Sequence, residues 1–129
     1  MLRDVLDPQV VGWWRIIDTS QWGRKTLDRL GTAMLSITGG VDQLRMHFLL
    51  ATVKAKPLKS GATFTWEGAW EFDELHGTGR VKLRKDGTLE GHLQIARGDR
   101  SAFSAERTLA PAQPIPDPPS YADKWIRYR

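Results

Sequence analysis

Between Gly12 and Leu109 apolar and polar side chains alternate in runs of six to twelve residues, separated by glycine or short polar clusters. A period of two over such lengths marks half-buried strands. The pattern predicts strands at 12–17, 32–38, 43–54, 62–72, 77–85, 88–96 and 101–109. Residues 18–30 break the alternation, with Trp22, Leu27 and Leu30 at mixed helical spacing behind the capping candidates Asp18, Thr19 and Ser20, and predict a loop with one short helix. The connections Thr38-Gly39-Gly40-Val41, Lys85-Asp86-Gly87-Thr88 and Arg97-Gly98-Asp99-Arg100 predict hairpins, with Asp86-Gly87 suited to a type I′ turn. The expectation is an all-β fold, a small antiparallel meander that closes into a barrel and so removes its exposed edges, with one short helix after the first strand.

Parity assigns the faces. Leu44, Met46, Phe48 and Leu50 share one side of their strand, as do Phe64, Trp66, Gly68, Trp70 and Phe72, and Leu89, Gly91, Leu93 and Ile95; these sides are expected inside. A bulge at Gly68 would reverse the second half of its strand. Six Trp in 129 residues supply the bulk that a seven- or eight-stranded interior takes, so a largely filled barrel is expected. Trp13, of opposite parity to Trp14, and Trp22, in the loop, are candidates to cover the barrel mouth or meet a partner.

Five of seven prolines fall after Leu109, which divides the chain into a barrel domain, 1–109, and a Pro-rich arm, 110–129. The arm ends on an aromatic and basic segment in which Tyr121, Trp125 and Tyr128 would share one face of a helix, a candidate surface for a protein partner or a second copy. No apolar run near the start resembles a signal-peptide core and none approaches the roughly 20 residues of a membrane helix, so a cytoplasmic protein without membrane contact is expected. The chain has no cysteine, which excludes disulfides, thiol catalysis and thiolate metal sites.

Gly12-Trp13-Trp14 resembles the Gly-x-Trp opening of lipocalin-like (calycin) barrels. That resemblance implies that the Trp sits at the closed end with an arginine of the last strand, here Arg107, packed across it. A longer ordered set comprises Phe64-Thr65-Trp66-Glu67-Gly68, Glu71-x-Asp73, Gly77-x-Gly79, Asp86-Gly87-x-Leu89-x-Gly91 and Gly98-Asp99-x-Ser101-x-Phe103-x-Ala105-x-Arg107. It is similar to a family of small bacterial proteins without an assigned activity, over about Gly12 to Arg107. The resemblance implies a fold and brings no reaction.

The net charge of +4 and pI near 9.7 decide nothing alone; placement does. Glu67, Glu71, Asp73 and Glu74 precede Arg80, Lys82 and Arg84, and cross-strand pairing of the two runs is expected to neutralise them, which argues against a nucleic-acid track. Lys54, Lys56 and Lys59 are expected in a solvated loop before the next strand. His47 and His92 read as outer-face histidines and His76 as a turn residue, with no metal-ligand spacing among them. No nucleophile elbow or phosphate-cradling loop is present, and no cofactor or metal is expected. The expected function is a non-enzymatic binding module. Its barrel either holds a small apolar ligand against Trp14, Phe48, Trp66, Trp70, Phe103 and Arg107, or serves as a platform for a protein partner. An enzyme with a barrel-interior site is the alternative and a weak nucleic-acid binder the third.

Overall fold

A computed structural model describes residues 5–118. Eight antiparallel strands form a closed barrel in sequence order: β1 (Gly12–Thr19), β2 (Met34–Ile37), β3 (Asp42–Met46), β4 (Leu49–Leu58), β5 (Gly61–Trp70), β6 (Asp73–Leu83), β7 (Leu89–Ile95) and β8 (Arg100–Thr108). Pairing of β1 with β8, from Trp13↔Thr108 to Thr19↔Phe103, closes the sheet. One helical turn, α1 (Arg24–Leu27), lies between β1 and β2. The all-β meander barrel with a single short helix after its first strand is thus the observed architecture.

Two differences from the sequence reading change which residues face inward. The run 43–54 is two strands, because His47 adopts φ 53° and Met46 pairs directly with Leu49. No glycine, asparagine or aspartate marks that turn, so the pattern alone ran through it. The turn reverses the faces: Leu49, Ala51 and Val53 point inward and are buried, while Phe48 and Leu50 are only partly covered. The second difference is at the β5–β6 turn, where Glu71 takes φ 55°; Phe72, expected inside, lies beyond the end of β5 and is 83% exposed. Gly68 does not carry a bulge, and β4–β5 pairing runs unbroken from Leu49↔Trp70 to Leu58↔Gly61.

The interior is filled by aromatic rings laid on glycines. Phe64 pairs with Gly79, Trp66 with Gly77, and Phe103 with Gly91. A Cβ added to Gly79 would stand 2.1 Å from the Phe64 ring, and one added to Gly91 would stand 2.3 Å from that of Phe103. Each ring therefore occupies the volume that a partner side chain would need, the cross-strand arrangement that shields a strand glycine. Leu35, Ile37, Leu44, Leu89 and Leu93, all nearly inaccessible, complete the core.

The lower end is closed by Trp14, fully buried, whose Nε1 donates to the Val10 carbonyl at 2.8 Å. The Arg107 guanidinium lies over its ring, 4.3 Å from the centroid, and donates to the Val11 carbonyl at 2.9 Å and to that of Gln9. Gly12, at φ 141°, leaves room for that guanidinium; a Cβ there would be 2.6 Å from Nη1. Past β8 no strand follows among the described residues. The arm is tied to β3 where Gln43 Nε2 donates to the carbonyl of buried Ile115 at 2.8 Å.

Gly79→Ala is expected to destabilise the fold by about 1–3 kcal/mol, because it overpacks the Phe64 ring. Gly23→Ala, which meets nothing within 4 Å, is expected to change it little. Denaturant unfolding checks both. With Phe64→Leu as background the cost of Gly79→Ala should shrink, and full additivity would show that the ring does not occupy that space.

Candidate functional site

The six residues expected to line an interior ligand site are distributed over three levels of the barrel. Trp14 and Arg107 form the lower closure. Trp66 and Phe103 are buried at mid-height, with Trp66 Nε1 donating to the Thr78 carbonyl at 3.1 Å. Trp70 and Phe48 are half-buried at the upper mouth, their ring centroids 6.0 Å apart. They do not converge on one pocket. Tyr121, Trp125 and Tyr128, the expected partner-binding residues, lie outside the described residues.

The mouth holds a group that the sequence reading misplaced. His47, expected on the outer wall, is 1% exposed beneath the β1–β2 connection. Its ring lies 5.2 Å from Trp22 and 6.1 Å from Trp70. Thr26 Oγ1 stands 2.9 Å from Nδ1 and Thr19 Oγ1 3.5 Å from Nε2, and the His47 amide donates to the Leu27 carbonyl at 2.8 Å. The Thr19 hydroxyl donates to the Trp22 carbonyl, which leaves its oxygen to face Nε2 as an acceptor. Burial holds the His47 pKa below the ordinary imidazole value, against the opposing influence of Thr26 and of the Asp28 carboxylate. The connection itself is clamped to β8, where Ser20 N donates to the Ala102 carbonyl and Ala102 N to Ser20 Oγ, both at 2.9 Å.

The outer wall of β4 to β8 carries a different chemistry. Lys54 and Lys56, expected in a loop, stand on the outward face of β4. The row that begins at Lys54 continues through Thr65, Thr78, Gln94 and Arg100; the row at Lys56 continues through Thr63, Arg80, His92 and Ala102. Lys82 follows one step below, opposite Gly61 and Glu90. Adjoining grooves of about 750, 410 and 370 Å³ indent this face, the largest between Lys54, Lys56, Thr63, Arg80 and Arg100.

The expected neutralisation of Arg80 and Lys82 does not occur. The turn at Glu71–Phe72 sets a register in which Glu67 faces His76, Ala69 faces Glu74 and Trp70 faces Asp73, so the carboxylates collect at the upper end. Arg80 meets Thr63 and His92 instead. Among the described residues, ion pairs are Arg15–Asp28, Arg24–Asp18 and Arg84–Glu90, and none involves Lys54, Lys56, Lys59, Arg80, Lys82 or Arg100. The face thus sets six cations against Glu67 and Glu90, the latter engaged 3.7 Å from Arg84, while the remaining described residues hold nine cations and eleven carboxylates. The positive excess of the barrel resides on one wall.

His76 and His92 are on strands β6 and β7, His76 exposed and His92 partly covered. Among the described residues no group of three or more His, Cys, Asp or Glu could hold a metal ion, and no helix is long and apolar enough to cross a membrane. Comparison with family models, with curated proteins and with solved structures finds no match to the chain.

A histidine with a lowered folded pKa is neutral in the fold at a pH where the unfolded chain binds a proton. Its environment therefore imposes no penalty above the ordinary value near 6.5, and stability is lost as pH falls through that value toward the lowered one. The melting temperature is expected to fall more between pH 7.5 and pH 5 for the native chain than for His47→Gln, which cannot take a proton. Parallel curves for the two would contradict the buried placement.

Proposed function

We propose that this chain is a non-enzymatic binding module whose working surface is the outer wall of β4 to β8, with the filled barrel as its rigid support. The observation that carries the reading is the collection of unpaired cations over the grooves of that wall, in a barrel whose other described residues hold a slight excess of carboxylates. Placing like charges side by side is unfavourable, so a fold that does so without internal partners is suited to an external anion. We favour the wall over the interior for a small apolar ligand because the Phe64, Trp66 and Phe103 rings already lie across Gly79, Gly77 and Gly91. The alternative of an interior active site is disfavoured by Arg107, the one charged group among the residues expected to line the interior, whose guanidinium is engaged by the Gln9 and Val11 carbonyls and the Trp14 ring. Kinship with lipocalin-like barrels and with the family of small bacterial proteins remains part of this proposal. It is supported by the Trp14–Arg107 closure and the eight-stranded closed meander.

Retention on immobilised heparin tests the reading. Lys54→Glu/Lys56→Glu/Arg80→Glu is expected to elute at clearly lower salt than the native chain. Arg24→Glu/Lys25→Glu/Arg29→Glu, with the same change in net charge on the β1–β2 connection, is expected to stay close to the native position. Equal shifts for both triples would mean that only net charge matters and would overturn the assignment to this wall.

A further inference from the structure

We propose that the outer wall binds the sugar–phosphate backbone of nucleic acid without reading its bases; this rests on the outer-wall reading above and names the ligand class of that site. Five cations form a two-dimensional array. Lys54 and Lys56 on β4 and Arg80 and Lys82 on β6 each stand two positions apart, and Arg100 on β8 closes the upper row. At 3.3–3.4 Å per residue the cations of each pair repeat at about 6.7 Å along the strand, and β4 and β6 stand about 9.5 Å apart across β5. Such an array offers charge at several points along a polyanion rather than one pocket for a single anion.

The side chains between the cations fit phosphate oxygens. β5 contributes no carboxylate between Gly61 and Thr65, and its outward side chains there are Thr63, level with Arg80, and Thr65, level with Thr78 of β6. These hydroxyls, the ammonium groups and the guanidinium groups all donate, the chemistry of backbone contacts in nucleic-acid complexes. Glu67 marks the upper limit of the array and Glu90 its lower one. No Phe, Tyr or Trp points outward from these rows, and the one ring there is the partly covered imidazole of His92. Base stacking, the usual source of single-strand affinity beyond charge, is therefore limited to that small ring, and binding should be insensitive to sequence and steeply sensitive to salt.

An acidic protein surface is the competing polyanion, and the wall lacks what such an interface needs. Specific protein interfaces centre on buried aromatic or aliphatic anchors. The large apolar side chain exposed here is Leu58, at the lower rim beside Lys59 and Lys82; the other exposed ones, such as Val41 and Leu109, are not among the groove-lining residues. Charge without an anchor favours the regularly spaced phosphates.

Fluorescence anisotropy with a fluorescein-labelled, mixed-sequence RNA of about 20 nucleotides, titrated with the full chain from 50 to 200 mM KCl, tests the proposal. For about five phosphate contacts the slope of log affinity against log salt is expected near −3.5. Lys56→Gln and Arg80→Gln should each weaken binding several-fold at 50 mM KCl and make the slope shallower by about 0.7. A slope near zero, or variants that bind like the native chain, would overturn it, the latter placing the contact elsewhere in the chain. Poly-glutamate of equal charge should compete at least tenfold less well than unlabelled RNA. Equal competition would overturn the nucleic-acid assignment while leaving the outer wall as an anion surface, and failure of both polymers to bind would remove both readings.

Discussion

Three aromatic rings lying across three glycines hold the barrel together. A closed sheet of eight strands has an interior just wide enough for side chains, and two large residues facing each other across a ladder would overfill it. Pairing Phe64 with Gly79, Trp66 with Gly77 and Phe103 with Gly91 gives each ring the volume of two positions. Burial of each ring contributes roughly 2–3 kcal/mol. Much else follows from that closure. Trp14 and Arg107 seal one end, and the β1–β2 connection, pinned by Ser20 and by the buried His47, covers the other.

A barrel filled in this way leaves little interior for a ligand, and the binding surface proposed above lies on its outside. On the wall the same ladder that seats the rings sets the spacing of the charges. Thr63, Arg80 and His92 lie side by side because Phe64, Gly79 and Leu93, one residue along, lie side by side within. Period two joins the two faces: the inner one determines register, and the outer one inherits it. The unpaired cations are thus a consequence of the way the core is packed, and moving one turn by a residue would redistribute them.

Most strands and three hairpins are legible in the sequence because glycine, aspartate and strict alternation announce them. The β3–β4 turn is not, because His47 and Phe48 carry no turn signal, and the error propagates to Leu49, Ala51 and Val53, whose inward side follows only from that turn. The interior aromatics Phe64 and Trp66 are legible from parity, whereas the partners of Arg80 and Lys82 are not. Cross-strand neighbours depend on where the β5–β6 turn falls, and Glu71–Phe72 resembles a continuing strand. The placement of Arg107 over Trp14 is accessible only through the lipocalin-like resemblance, since a contact between the first and last strands leaves no local signal. The burial of His47 is likewise a tertiary fact, produced by Trp22, Thr19 and Thr26 from a distant segment.

The claim on which the account turns is that the barrel interior is occupied by its own side chains. Xenon enters apolar cavities too small or too dry to be seen by other probes, so diffraction from crystals of the full chain under xenon pressure tests that claim directly. The account predicts no ordered xenon in the space bounded by Phe64, Trp66, Phe103 and Leu93. Xenon bound among those residues would show an open interior, and would return the ligand site to the inside of the barrel.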